Sequence, residues 1–223
     1  MTQLQTLRKA LLSQLADKLR PRGLKRKEQD FCKVIPGVEQ VFHIAFIKHK
    51  DDFDLSADVA VRHNTVENLV HEFESTVPRP AWAALSKKDQ ADTATVGAEL
   101  GNLSIGRPRY WTVRSEADLT SVCEGVLDAF EKIGGPYLER FSSLEEVLTV
   151  LSGDDKDSWI HCPFNDVRAK KAIAAAFLLG RRETFEKLVE SKTLYFKDRK
   201  DPSLPAFIPP FTAFAEYLAK RWE

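Results

Sequence analysis

Leu19-Arg20-Pro21-Arg22-Gly23-Leu24, then Asp30-Phe31-Cys32-Lys33-Val34-Ile35, Val41-Phe42-His43-Ile44-Ala45-Phe46-Ile47 and Asp54-Leu55-Ser56-Ala57-Asp58-Val59-Ala60-Val61, are the runs within Leu19 to His63 that decide the fold. A helix ends at the first run and three strand-like runs follow it. Pro21 lacks the N–H that would continue the helix, and Gly23 accepts the backbone of a helix end. Pro36-Gly37 marks a turn between the first two strands, and the charged Lys48-His49-Lys50-Asp51-Asp52 reads as a hairpin tip. Phe42, Ile44 and Phe46 share one face of the second run. In the third, Leu55, Ala57, Val59 and Val61 alternate with Asp54, Ser56, Asp58 and Ala60, the period of a half-buried strand.

Upstream, Leu4, Leu7, Leu11, Leu15 and Leu19 recur at three- and four-residue intervals, an amphipathic helix that must bury its leucine face. Downstream, Val66, Leu69, Val70 and Phe73 make a short helix capped by Asn64 or Thr65. Pro78 to Thr95 is polar and aperiodic and reads as a mobile loop. Val96 to Leu103 and Tyr110 to Val113 read as two further strands joined by Gly106-Arg107-Pro108. A helix from Ser115 carries Leu119, Val122, Val126, Phe130 and Ile133, and Gly134-Gly135-Pro136 is expected to close it.

Beyond this the pattern is helical. Ser143-Leu144-Glu145-Glu146 spells a capping box, and Val167 to Leu179, Arg181 to Glu190 and Phe211 to Trp222 repeat at helical spacing. The pair around Gly180 resembles one hairpin of a tetratricopeptide-type array, but no second copy follows at a fixed period. The aspartate-rich Ser152 to Pro163 is the candidate boundary. The expected architecture is therefore α+β: an N-terminal helix on an antiparallel sheet of about five strands, then helices. In residue terms this is a core domain over 1–151 and a helical subdomain over 164–223 packed on it.

Composition narrows the function classes. Lysine plus arginine and aspartate plus glutamate number 33 each, so no global field favours nucleic acid or anionic lipid. No apolar run approaches the ~20 residues of a membrane span, and Met1 to Lys9 does not spell a secretory signal. Cys32, Cys123 and Cys162 are odd in number, widely spaced and apolar-flanked, which suits buried thiols in a reducing cytosol. The expectation is a cytoplasmic protein without disulfides.

At Leu19 to Lys27 with Phe31, the strand through Phe42, Leu55 to Val61, and Leu100-Gly101-Asn102-Leu103 with Trp111, the chain resembles a family of small bacterial proteins. That family is catalogued as domain of unknown function 4304, and the likeness covers roughly the first two thirds of the chain. Leu24 stands where the family more often has an aromatic, and Trp111 is single where a pair is common. The resemblance implies a helix against an antiparallel sheet and brings no catalytic residues. Through the company such proteins keep, it also suggests an immunity protein encoded beside a toxin.

No catalytic motif is complete. His71-Glu72-Phe73-Glu74-Ser75 has Ser75 where a zinc-binding second histidine must sit, and the glycines at 97, 101 and 106 lack the Lys-Ser/Thr of a phosphate loop. No metal, cofactor or catalytic residue is assigned. Asp54, Ser56 and Asp58 on one strand face, with His49, Asp52 and His63 nearby, keep a hydrolase-type enzyme at the Asp52–His63 hairpin as an alternative. The six basic residues between Lys18 and Lys27 keep a nucleic-acid binder as another. Arg107, Arg109, Tyr110 and Trp111 form the leading partner-binding candidate, because arginine, tyrosine and tryptophan are enriched at binding hot spots. The reading reached from sequence is a non-catalytic protein-binding module, in form an immunity-type inhibitor of a toxin encoded nearby.

Overall fold

The computed structural model describes residues 3–77, 93–198 and 201–222. In chain order the elements are α1 (Gln3–Leu19), β1 (Lys25–Lys27), β2 (Asp30–Ile35), β3 (Val38–Lys48), β4 (Phe53–His63), α2 (Asn64–Thr76) and β5 (Val96–Glu99). Then come α3 (Leu100–Ile105), β6 (Trp111–Val113), α4 (Leu119–Ala129), a π-helical turn (Phe130–Gly134) and α5 (Gly135–Phe141). The rest is helical: α6 (Leu144–Ser152), α7 (Lys156–His161), α8 (Asn165–Leu178), α9 (Arg182–Phe196) and α10 (Ile208–Ala219). Of the polar segment expected as a loop, Pro78 to Asp92 lies outside the described residues.

The sheet is antiparallel, ordered β1-β2-β3-β4-β5, with β6 also on β4. Hairpin β2–β3 turns at Pro36-Gly37, where Gly37 takes a left-handed φ of 77°, and pairs Phe31 with Phe42 and Asp30 with His43. The His49 N–H donates to the Asp52 carbonyl at 3.1 Å and closes the β3–β4 hairpin at the expected tip. The basic segment Lys25 to Lys27 is itself a short strand, paired residue for residue with Asp30 to Cys32.

Two compact units emerge, one of residues 1–61 with 97–142, the other of residues 62–96 with 143–223. They are divided at Val61, Gly97 and Ser142 rather than across Ser152 to Pro163. That aspartate-rich segment is ordered inside the second unit, where Asp155 caps α7 through the Ser158 N–H at 2.8 Å. The division falls within strands: the last two residues of β4, Arg62 and His63, and the first of β5, Val96, belong to the second unit.

In the first unit, Leu11, Leu15 and Leu19 of α1 are fully buried, as are Phe31, Phe42, Ile44, Leu55 and Val61 of the sheet. Phe42 links Phe31, at 6.1 Å between ring centroids, to Phe130, at 4.8 Å. The Arg8 guanidinium lies 5.0 Å and 5.1 Å from the Phe46 and Phe53 rings, which seats α1 against the hairpin end of the sheet. Gly134-Gly135-Pro136 does not end the helix as its spelling suggests. The Gly135 N–H donates to the Phe130 carbonyl five residues back, a π turn, and Pro136 opens α5 where its missing N–H costs nothing.

In the second unit, Phe73 packs on Phe214 at 5.0 Å and Phe196 on Phe211 at 5.5 Å, contacts that hold the last helix down. Its interior also holds cations. Lys192 is 0% exposed and donates to the Ser152 and Gly153 carbonyls and to Asp154 Oδ1, at 2.8, 2.9 and 2.8 Å. Arg168, 1% exposed, donates to the Cys162 carbonyl and Asn165 Oδ1, both at 2.7 Å, and to the same Asp154 oxygen at 3.2 Å. Burial pulls the Lys192 ammonium below its ordinary range, and Asp154 opposes that shift. Lys192 binds carbonyls at the end of α6 and Arg168 the carbonyl just past α7, where helix-end carbonyls lack intrahelical partners.

Candidate functional site

β3 occupies one edge of β4, so β5 and β6 share the other. Gly97 of β5 lies against Val59 and Ala60, while Trp111, Thr112 and Val113 of β6 pair with Leu55, Asp54 and Phe53. Residues 100–110 are therefore an excursion that leaves this edge and returns to it. The strand expected over Val96 to Leu103 stops at Glu99 for an identifiable reason. The Glu99 carboxylate accepts the N–H groups of Gly101 at 2.9 Å and Asn102 at 2.8 Å, which is the cap that starts α3.

The same carboxylate oxygen that caps Gly101 accepts the Arg109 N–H at 3.2 Å, so one side chain ties both ends of the excursion together. Gly101 allows this closure. A Cβ there would lie 2.4 Å from Arg109 N and 2.6 Å from the Arg107 carbonyl, inside any tolerable contact. Compact loops with joined ends of this sort are frequently functional.

What the excursion presents is mixed apolar and cationic. Ile105 is 57% exposed, Tyr110 is 52% exposed, and Arg107 is exposed beside them. The Arg109 guanidinium stacks over the Trp111 ring at 4.7 Å. Trp111 is half-buried, its indole nitrogen 2.9 Å from where a Cβ on Gly125 of α4 would stand, so the ring lies on the helix at a glycine. The structure thus brings the four sequence candidates Arg107, Arg109, Tyr110 and Trp111 into one loop and one adjoining strand. Glu99, Gly101 and Ile105 were missed as members. Gly101 carried a readable signal, a glycine that permits close packing, whereas nothing local marks Glu99.

The carboxylates of the Asp52–His63 hairpin separate into two groups. Asp54 Oδ1 accepts the Thr112 hydroxyl at 2.6 Å and Oδ2 meets His49 Nε2 at 3.0 Å, and these bonds, Thr112 first, hold its carboxyl below the usual range. The carboxylate lies between hydroxyl and imidazole, whereas an activated hydroxyl needs the base beside it. His43 Nδ1 pairs with Asp30 at 2.5 Å, and Asp58 lies within electrostatic reach of His43. Burial pushes its carboxyl up, His43 opposes that, and Glu99 adds to it. Among the described residues no three His, Cys, Asp or Glu side chains converge as metal ligands. Burial also raises all three thiols, Cys32 to about 11, which disfavours thiolate chemistry.

Along Lys18 to Lys27, cations have local partners: Arg20 with Asp17 at 3.4 Å, Arg22 with the Lys18 carbonyl at 2.6 Å and with Glu131, and Arg26 with the Glu28 carbonyl at 2.9 Å. Among the described residues no helix is long and apolar enough to cross a membrane. No known family's sequence profile matches this chain, and neither does any curated protein or any solved structure.

Proposed function

We propose that this chain is a non-catalytic protein-binding module of the cytoplasm that engages its partner through the 100–110 excursion and β6. The observation that carries the reading is the pinned presentation of Arg107, Arg109 and Tyr110: Glu99 fixes the loop ends, and Trp111 fixes Arg109. A loop held in shape before binding loses less conformational entropy on association than a floppy one. Exposed Arg and Tyr around a half-buried Trp are the side chains that dominate interface energetics. The family resemblance gives the partner its form, a toxin encoded nearby, which makes the chain an immunity-type inhibitor.

Pull-down and calorimetry against the adjacent gene's product test this, with Arg107→Glu/Arg109→Glu as the variant and circular dichroism as the folding control. Each hot-spot arginine is expected to contribute about 2 kcal/mol, a roughly 30-fold change in Kd. A double variant that stays folded and binds at wild-type affinity removes the excursion from the interface.

A further inference from the structure

We infer that a trough between α9 and α10 receives an amphipathic helix whose apolar stripe is edged by lysine or arginine. It lies wholly within the second compact unit and is independent of the excursion. The trough measures about 560 Å³, with Phe185, Val189, Thr193 and Leu194 of α9 on one side and Ala215 and Ala219 of α10 on the other. It is open because α10 places short side chains where α9 places long ones. Leu194, 61% exposed, leaves an apolar side chain in water at its rim. From Phe185 to Leu194 the helix rises about 14 Å, two to three turns of a docked helix.

The rim sets the occupant's chemistry. Glu186 and Glu190 line the α9 wall and Glu216 the α10 wall, and among the described residues Lys197 is the one cation in the lining itself. Glu186 shares an exposed i,i+4 pair with Arg182 at 3.2 Å, a bond weak enough to exchange. Carboxylates on both walls match basic residues on both flanks of an apolar stripe, and they repel an acidic helix. The same negative rim disfavours anionic lipid and nucleic acid.

The test uses the full chain and a fluorescent peptide of about 14 residues, with leucine at i, i+3, i+4 and i+7 and lysine on both flanks. A twin carries glutamate for every lysine. Anisotropy should give the lysine peptide a Kd of roughly 10–100 µM that weakens with salt, and the twin at least tenfold weaker binding. Glu190→Lys/Glu216→Lys should reverse that preference, Leu194→Ser should weaken binding at least about tenfold, and amide shifts should fall on Val189, Ala215 and Ala219. Should Leu194→Ser misfold, the charge-reversal pair alone decides. Equal binding of the two peptides, no saturable binding up to about 1 mM, unchanged preference in the charge-reversed variant, or self-association of the chain through this face would each overturn the proposal.

Discussion

Gly101→Ala adds one methyl group at the neck of the excursion, and its consequence can be worked through atom by atom. The new Cβ would stand 2.4 Å from Arg109 N and 2.6 Å from the Arg107 carbonyl, against an ordinary contact of 3.4 Å or more. Both neighbours are backbone atoms, so no side chain can swing aside. The Arg107–Arg109 backbone must retreat by about 1 Å. That takes the Arg109 N–H, now 3.2 Å from Glu99 Oε1, beyond hydrogen-bond reach. A lost charge-assisted bond costs about 1.5–3 kcal/mol, and overpacking by one carbon costs about 1–3 kcal/mol. The two overlap, because retreat relieves the clash by breaking the bond, so the expected loss is about 2–3 kcal/mol. Denaturant titration reads the global part, and amide exchange over residues 100–110 reads the local part, with Arg109 expected to exchange about 30-fold faster or more. Wild-type exchange together with an unchanged midpoint would refute the pinned-neck account.

Leu11→Asp buries an unpaired charge at a fully buried α1 position and should destabilise by several kcal/mol, seen as a lowered Tm. Asp154→Ala removes the carboxylate that Lys192 and Arg168 share as a hydrogen-bond acceptor and should cost about 3–5 kcal/mol, whereas an unfolding free energy within about 1 kcal/mol of wild type would show water reaching the site. Cys32, with its thiol raised from 9.0 to about 11, should alkylate at pH 8 at least about tenfold more slowly folded than unfolded. Because the folded state holds that proton more tightly, the Cys32 contribution to stability is complete below pH 9 and declines as pH rises from 9 towards 11; a rise in stability across that window would contradict it.

Much of the fold is written in short-range repeats. The 3.6-residue recurrence of Leu7, Leu11, Leu15 and Leu19, and the two-residue alternation of Leu55, Ala57, Val59 and Val61, correspond to faces that are indeed buried. A repeat betrays the face an element must hide, and it does so without reference to distant residues. The excursion was half legible on the same grounds. Its Arg107, Arg109, Tyr110 and Trp111 stand together in the sequence, but their pinning by Glu99 depends on β5 and β6 sharing one edge of β4. The division into two units and the cations inside the second had no local signature. Lys192 and Arg168 sit amid charged sequence that reads as solvated helix surface. They are buried because Asp154 and the carbonyls ending α6 and α7 converge on them, in the case of Lys192 from as many as 40 residues away. Periodicity reports what each element buries; which groups meet there is decided by long-range packing, and Lys192 and Arg168 stay desolvated because carbonyls and a carboxylate from distant segments accept their N–H groups.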